Sequence, residues 1–567
     1  MTVKEHIAGM LQQKLPTLDL DTILSMLEIP PEKEMGDYAF PCFRLAKEMR
    51  KAPALIAKDT AEALAGEQLL ESVQAVGPYV NMRVNKAAVV QIVTEEYAAG
   101  HPFGSSDEGE GKTIVLDYSS INIAKPFHVG HLRSTAIGNA IHKLYRYLGY
   151  KTVRVNHLGD YGTQFGKLVV AYRKWGNKEE IEQKGIRGLL DIYVRFHKEA
   201  EQDPSLDDEA RSTFTALENG DEEIREIWKW FVDISLKEVS KVYDLLDVQF
   251  DYYLGESFYM DKTDAVVKEL QEKGLLEESE GAMIVDLSDC DMPPALVLKK
   301  DGSTLYTTRD LAAAIYRKKT YDFYKCLYVT GSEQSLHFSQ FFKILEKMGY
   351  SWSKGLVHVP FGLMSLETGK MSTRNGQVVF LQDLLDEAIE KTRRIIEEKN
   401  PNLKDIDQVA TQVGVGAVVF NDLFNSRIKD EVFAWDKVLN FDGETGPYVQ
   451  YTFARASSIL RKAGVDVFHP EDMKGECLSD EYAQEVLRII EQFPEKVKEA
   501  ADRYEPYVIT RYAVALASAF NRFYHENAIL SAEDETVRKA RTALTKMMAE
   551  VLRSALSLIG VQTPEEM

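Results

Sequence analysis

Thr113-Ile114-Val115-Leu116-Asp117-Tyr118, running on through Ser119-Ser120-Ile121-Asn122-Ile123-Ala124-Lys125-Pro126-Phe127 into His128-Val129-Gly130-His131, is the stretch whose reading decides the fold. Its first six residues are a short β-branched run of the kind that forms a strand buried inside a parallel sheet. From about His128 to Leu148 the apolar residues Leu132, Ile137, Ile141, Leu144 and Leu148 recur at helical spacing. Thr152-Val153-Arg154-Val155-Asn156-His157 reads as the next strand. Strand, helix and strand make one βαβ unit, which predicts a right-handed crossover and an α/β fold with a Rossmann-type parallel sheet.

Working outward, the first hundred residues read as a small α/β unit. Ile7, Met10, Leu11 and Leu15 fall at helical spacing, a second amphipathic stretch runs from about Pro53 to Leu70, and Gly77-Pro78 leads into the alternating strand Tyr79 to Val84. The Gly-, Ser- and acid-rich run from His101 to Gly111 is the best linker candidate. From about Glu179 to Tyr243 the sequence is charged and helical, as expected of an insertion, and Lys325-Cys326-Leu327-Tyr328-Val329-Thr330 resumes the sheet. From about Asp405 onward the pattern is almost wholly helical, with the Asp442–Pro447 turn introducing an all-helical C-terminal domain.

A length of 567 residues suggests three or four domains, and 45% hydrophobic with 28% charged residues is ordinary for a globular chain with large cores. No apolar run is long enough to cross a bilayer and no secretion signal is apparent at Met1 to His6, so no membrane role is expected. Cys42, Cys290, Cys326 and Cys477 are scattered and form no CxxC pair, which suggests neither zinc nor disulfides and fits a reducing cytoplasm. A net charge of −21 speaks against nonspecific nucleic-acid binding, although residues 501–567, with eight Lys+Arg against nine Asp+Glu, are close to neutral.

The chain entering the helix at His128 is a natural phosphate site, because unpaired N–H groups and the positive end of the helix dipole face the sheet's carboxyl edge. Imidazoles at His128 and His131 can donate to phosphate oxygens, and Gly130 leaves room for a nucleotide against backbone. A metal-binding His pair or a plain helix cap is the competing reading of HxxH. Far downstream, Gly369-Lys370-Met371-Ser372-Thr373-Arg374-Asn375-Gly376 offers further cations, although alone it reads as a surface loop.

Together the two strings resemble the HIGH and KMSKS signatures of class I aminoacyl-tRNA synthetases. The resemblance implies attack of an amino-acid carboxylate on ATP, release of pyrophosphate, and aminoacyl transfer to a tRNA 3′ end. By that match His128 and His131, with Gly130, contact ATP, while Lys370, Met371, Ser372 and Arg374 bind it from the second motif and Lys370 stabilises pyrophosphate. Thr373 replaces the second lysine of KMSKS. Many arginyl enzymes share this loss and carry a lysine just before HIGH, and Lys125 stands there as the expected catalytic replacement.

The Asp117–Pro126 stretch, Leu158-Gly159-Asp160-Tyr161-Gly162-Thr163-Gln164-Phe165-Gly166, the run from Asp301 to Asp310, and Gly331-Ser332-Glu333-Gln334-Ser335-Leu336-His337-Phe338 resemble the arginyl family specifically. Carried over position by position, the match implies Asp310, Tyr306 and Asp117 at the guanidinium of L-arginine. Ser119, Asn122, His131 and Gln334 also fall in the arginine site, Asn122 and Gln334 at its amino and carboxylate end, and His337 lies near the adenosine. A planar guanidinium matches carboxylate geometry bidentately, which supports an acidic pocket. Without the family match, Asp117 could cap a turn, Asp310 could be a helix N-cap and Tyr306 could be core.

The resemblance further implies an N-terminal added domain touching tRNA (1–108), a catalytic domain (109–400) with a helical insertion at about 167–300 and the Lys-Met-Ser loop at 369–376, a helical connector (401–440), and a helical anticodon-binding domain (441–567). Tyr448, Tyr451 and Arg455 are the tRNA-contact candidates, since aromatics and arginine stack on unpaired bases. ATP with Mg2+ and tRNA(Arg) are the implied co-substrates and partner, and a monomer is expected. A cysteinyl enzyme would need zinc ligands, a glutamyl enzyme a basic pocket, and a simple nucleotidyltransferase would leave the C-terminal domain unexplained.

Overall fold

A computed structural model describes residues 2–300, 302–366 and 379–567. Five parallel strands form its central sheet: β1 (Thr113–Asp117), β2 (Lys151–Asn156), β3 (Tyr252–Tyr253), β4 (Lys325–Gly331) and β5 (Leu356–Phe361), in the spatial order β5-β4-β1-β2-β3. Helix α1 (Val129–Tyr147) joins β1 to β2, α2 (Tyr306–Tyr321) precedes β4, and α3 (Ser335–Lys347) joins β4 to β5. The chain builds outward from β1 on one side and then crosses back to lay β4 against its other side. Such a reversal opens a crevice between β1 and β4 at their carboxyl ends, where ligands bind in doubly wound sheets.

Alternation along the strands divides the packing. Ile114, Leu116, Leu327 and Val329 share a core with Leu132, Ile137, Ile141 and Leu144 of α1. Val115, Val153, Val155, Cys326 and Tyr328 face the other way and join Leu311 and Ala314 of α2 and Phe341 and Ile344 of α3. Burial on both faces is why these strands lack polar alternation.

The N-terminal unit is an antiparallel three-stranded sheet (Tyr38–Pro41, Leu70–Val76, Tyr79–Val84) with four helices longer than one turn, the first being Val3–Lys14. The run expected to be a linker is docked rather than free. Phe103 stacks on Phe493 at 6.2 Å, and Tyr147 donates to the Phe103 carbonyl at 2.7 Å.

The insertion also departs from expectation. After Leu245 α-helices continue only at Glu256–Tyr259 and Thr263–Glu272, and the rest of the span to residue 300 contains edge strand β3 and an antiparallel sheet of Glu277–Ser279, Ala282–Val285 and Ala295–Leu298. These strands are too short for their period to stand out. In the connector, Glu431–Phe433 pairs in parallel with Met364–Leu366, a contact invisible to helical periodicity. From Gly446 the fold is helical, ending in Glu535–Leu558.

Candidate active site

The loop from Ser119 to Phe127 crosses the carboxyl edge of β1 in a strained path. Ser119, Ser120 and Ala124 have φ of 67°, 40° and 58°, a region that costs non-glycine residues about 1–3 kcal/mol each. Buried hydroxyls hold it: Ser119 N donates to Ser134 Oγ at 2.9 Å, and Ala124 N to Ser235 Oγ at 3.0 Å. Ser235 lies on the insertion helix Glu222–Leu245, so the insertion helps shape the loop. A bridge between Asn122 and Gly159 ties it to the turn after β2.

At the start of α1 the two histidines cap the helix and each other. Gly130 N donates to His128 Nδ1 at 3.0 Å, and His128 N donates to His131 Nδ1 at 3.1 Å. A Cβ at Gly130 would lie 2.8 Å from the His128 ring, so this glycine makes room for the cap itself. With both Nδ1 atoms accepting, each ring carries its proton on Nε2. Burial pushes His128 down to about 4 and, with the neighbouring His128 and Lys125, His131 down to about 3. Both rings are therefore neutral donors, not cations. Capping and phosphate binding use different nitrogens and are compatible. Lys125 sits half-buried on the same loop, its charge felt at His131.

Lys370, Met371, Ser372 and Arg374 lie outside the described residues. The described chain just beyond them, however, meets the histidine motif: Val129 N donates to Val379 O at 3.4 Å and Leu381 N to Phe127 O at 2.9 Å.

Across the crevice Tyr306 opens α2, half-exposed, and Asp310 lies one turn in. Neither competing reading holds, since Tyr306 is not core and Asp310 does not cap. Asp310 Oδ2 bonds His337 Nε2 at 2.6 Å, and the Tyr306 ring stands edge-on to His337 at 4.6 Å. Burial opposes ionisation of Asp310, but the His337 bond and the nearby His157 and Arg317 outweigh it and hold the carboxyl below its ordinary value. Asn122 and Gln334 are exposed at the crevice edges.

Asp117 and Ser119 differ from expectation. Asp117 is buried, paired with Arg317 Nη2 at 2.7 Å and accepting from Ser120 Oγ at 2.7 Å. Ser119 Oγ is bonded to Tyr243 Oη at 2.7 Å and to Thr135 Oγ1 at 2.9 Å. Both are committed beneath the pocket.

Two buried arginines, Arg133 and Arg317, organise this region, and sequence reasoning passed over both. The available signal was position: Arg133 shares a stripe with Ile137 and Ile141, and Arg317 one with Ala313 and Ala314, where a solvated arginine would not fall.

In the C-terminal domain Arg455 lies between two exposed rings, 5.0 Å from Tyr451 and 5.3 Å from Tyr524. Its guanidinium bonds Asn521 Oδ1, while Asn521 Nδ2 donates to Tyr448 Oη at 3.0 Å. Tyr451 and Arg455 thus come together at the surface, Tyr448 supports them from below, and Tyr524 is the ring not singled out from sequence. Among the described residues no helix is long and apolar enough to cross a membrane.

Comparison with known proteins identifies the domains. Residues 97–435 match the family model for the catalytic domain of "tRNA synthetases class I (R)", residues 1–84 that of the arginyl-tRNA synthetase N-terminal domain, and residues 449–567 the DALR anticodon-binding domain. The chain is 55% identical over 565 residues to an arginine–tRNA ligase of Clostridioides difficile, covering 100% of this chain and 99% of the relative. It is 51% identical, with the same coverage, to one of Halothermothrix orenii. The solved arginyl-tRNA synthetase of Thermus thermophilus superposes over 100% of both chains with a TM-score of 0.82 at 26% identity. The chain belongs to the arginyl-tRNA synthetase family, whose catalytic domain is of class I.

Proposed function

We propose that the chain ligates L-arginine to the 3′ end of tRNA(Arg), consuming ATP and releasing AMP and pyrophosphate during protein synthesis. One observation carries this reading: the carboxyl edge of β1 and β4 receives both a helix N-terminus with two neutral imidazoles, at the start of α1, and the ionised carboxylate of Asp310, in the first turn and a half of α2. The first feature suits a triphosphate and the second a guanidinium.

In the first step the arginine carboxylate attacks the α-phosphorus and pyrophosphate leaves. His128 and His131 donate Nε2–H to phosphate oxygens whose charge grows, while Lys125, Lys370 and Arg374 supply the positive field, an effect mainly of electrostatic preorganisation. Gly130, Met371 and Ser372 border the nucleotide, and Mg2+ accompanying ATP would supply further positive charge at its phosphates. Asp310 and Tyr306 hold the guanidinium, and Asn122 and Gln334 hold the α-amino and carboxylate groups. Asp117 and Ser119 are assigned to the floor of the pocket, because Arg317, Tyr243 and Thr135 already occupy them. In the second step a terminal hydroxyl of the tRNA attacks the adenylate carbonyl and AMP leaves.

The division into residues 1–108, 109–400, 401–440 and 441–567, a cytoplasmic setting and a monomeric state complete the proposal. ATP–pyrophosphate exchange with each amino acid, with and without tRNA, tests it. Exchange with arginine alone, requiring tRNA, is the expected result. Exchange driven by another amino acid would overturn it.

A further inference from the structure

Asp310 and His337 come from different helices, α2 and α3, and both side chains remain partly open, 24% and 12% exposed. His337 bonds Oδ2 only, and among the described residues no other hydrogen bond reaches this carboxylate. The imidazole is itself held between rings, edge-on to Tyr306 at 4.6 Å and tilted against Phe341 at 5.5 Å. A free aspartate would turn about its side-chain bonds, whereas this one is fixed before any ligand arrives. Fixing it beforehand removes an ordering cost that a binding guanidinium would otherwise bear. The buried Asp117–Arg317 pair, at 7% and 1% exposure, offers no comparable open oxygen.

We propose that His337 is a positioning residue for the arginine substrate: by anchoring one oxygen of Asp310 it aims the other at the guanidinium. The proposal rests on Asp310 being the guanidinium partner, and it moves His337 from the adenosine side of the site to the amino-acid side.

Steady-state kinetics of His337→Leu and His337→Gln, with Asp310→Asn beside them, test it. His337→Leu should raise the KM for arginine about 10- to 150-fold, the effect of losing a hydrogen bond to a charged group, with the KM for ATP changed less than about two-fold. His337→Gln, whose amide N–H reaches nearly as far as Nε2, should recover most of that loss. A rise in the ATP KM with the arginine KM unchanged would overturn the proposal in favour of a nucleotide contact. Equal falls in kcat for both His337 variants, with neither KM moved, would overturn it in favour of simple packing. If Asp310→Asn raises the arginine KM but His337→Leu does not, only the positioning role fails; if Asp310→Asn leaves it unchanged, the underlying pocket assignment fails.

Discussion

Arg133 and Asp422 meet with the guanidinium Nε 3.3 Å from a carboxylate oxygen, both side chains fully buried. Arg133 lies on helix α1, and its remaining nitrogens donate to the carbonyls of Gly362, Lys429 and Arg427 at 3.1, 2.7 and 3.2 Å. One arginine thus fixes the helix that starts at His128 to the chain leaving β5 and to the connector. Arg427 continues the link, accepting Gly362 N at its carbonyl and donating to Tyr504 O at 3.0 Å, while Glu505 accepts from Ser426 Oγ at 2.9 Å. Through these bonds the C-terminal domain is bolted to the catalytic sheet.

Breaking a buried pair from one side leaves a charge without its counter-ion, so Asp422→Asn should cost about 3–5 kcal/mol at pH 7.5. Burial raises the Asp422 carboxyl to about 6, with Arg133 opposing the shift. A carboxyl with a raised folded value stabilises the native state fully below its unfolded value near 4, and that contribution is lost as pH rises through 6. At pH 5 wild-type Asp422 is itself protonated and wild type has gained stability that the non-titrating variant has not, so the gap between wild type and Asp422→Asn should widen. Denaturant unfolding of both chains at the two pH values measures it, and a gap that does not change would show that Asp422 remains ionised at pH 5.

The two nitrogens of His128 can be tested separately. Asparagine places an acceptor near Nδ1, so His128→Asn should keep the cap and the stability but lose the phosphate donor, lowering kcat for pyrophosphate exchange about 100- to 1,000-fold. Glutamine places a donor near Nε2, so His128→Gln should retain most of the activity and lose about 1 kcal/mol of stability with the cap. If both variants lose the same activity, the Nε2–H is not the catalytic group.

Buried neutral histidines also give the chain an acid-sensitive limb. His142 and His358 are depressed by burial to about 3 and about 4, beside the two site histidines. Histidines with depressed folded values stabilise the native state above the unfolded value near 6.5, and lose that contribution as pH falls through the folded values. His142→Gln, outside the crevice, should therefore flatten the fall in melting temperature between about pH 6.5 and 4.5 relative to wild type. An unchanged slope would show that His142 takes up its proton without cost.

The parts of this molecule that carry local periodicity could be read without a structure. The strand read at Thr113–Tyr118, the helix read from about His128 to Leu148 and the strand read at Thr152–His157 differ from the observed β1, α1 and β2 by no more than about a residue at each end. Strand β3 could not be read because two residues carry no period, and the docking of Phe103 on Phe493 depends on residues far apart in sequence. At the site, the histidines were legible because a motif fixes them relative to a helix start. The pairing of Asp310 with His337 was not, since it depends on how α2 and α3 lie across one sheet face. Arg133 and Arg317 were missed because arginine is ordinarily solvated, and only their places on apolar stripes betrayed them.

The Tyr451–Arg455–Tyr524 surface yields the last prediction. Two exposed rings flank a guanidinium held in place by Asn521, a platform on which unpaired bases can stack and a phosphate can pair. Tyr524 lies in the last turn of a 20-residue helix, Tyr507–Glu526, that starts beside Glu505, so the platform sits about 25 Å along a rigid rod from the bonds to the catalytic domain. Losing one stacking face costs about 1–3 kcal/mol, so Tyr451→Ala and Tyr524→Ala should each raise the KM for tRNA about 5- to 150-fold. Tyr524→Phe keeps the face and should stay near wild type. The KM for arginine at saturating tRNA should be unchanged in all three, because the platform touches nothing in the crevice. Aminoacylation over a range of tRNA concentrations measures these values. A tRNA KM untouched by both alanine variants would mean that the bases are read on another face of the helical domain.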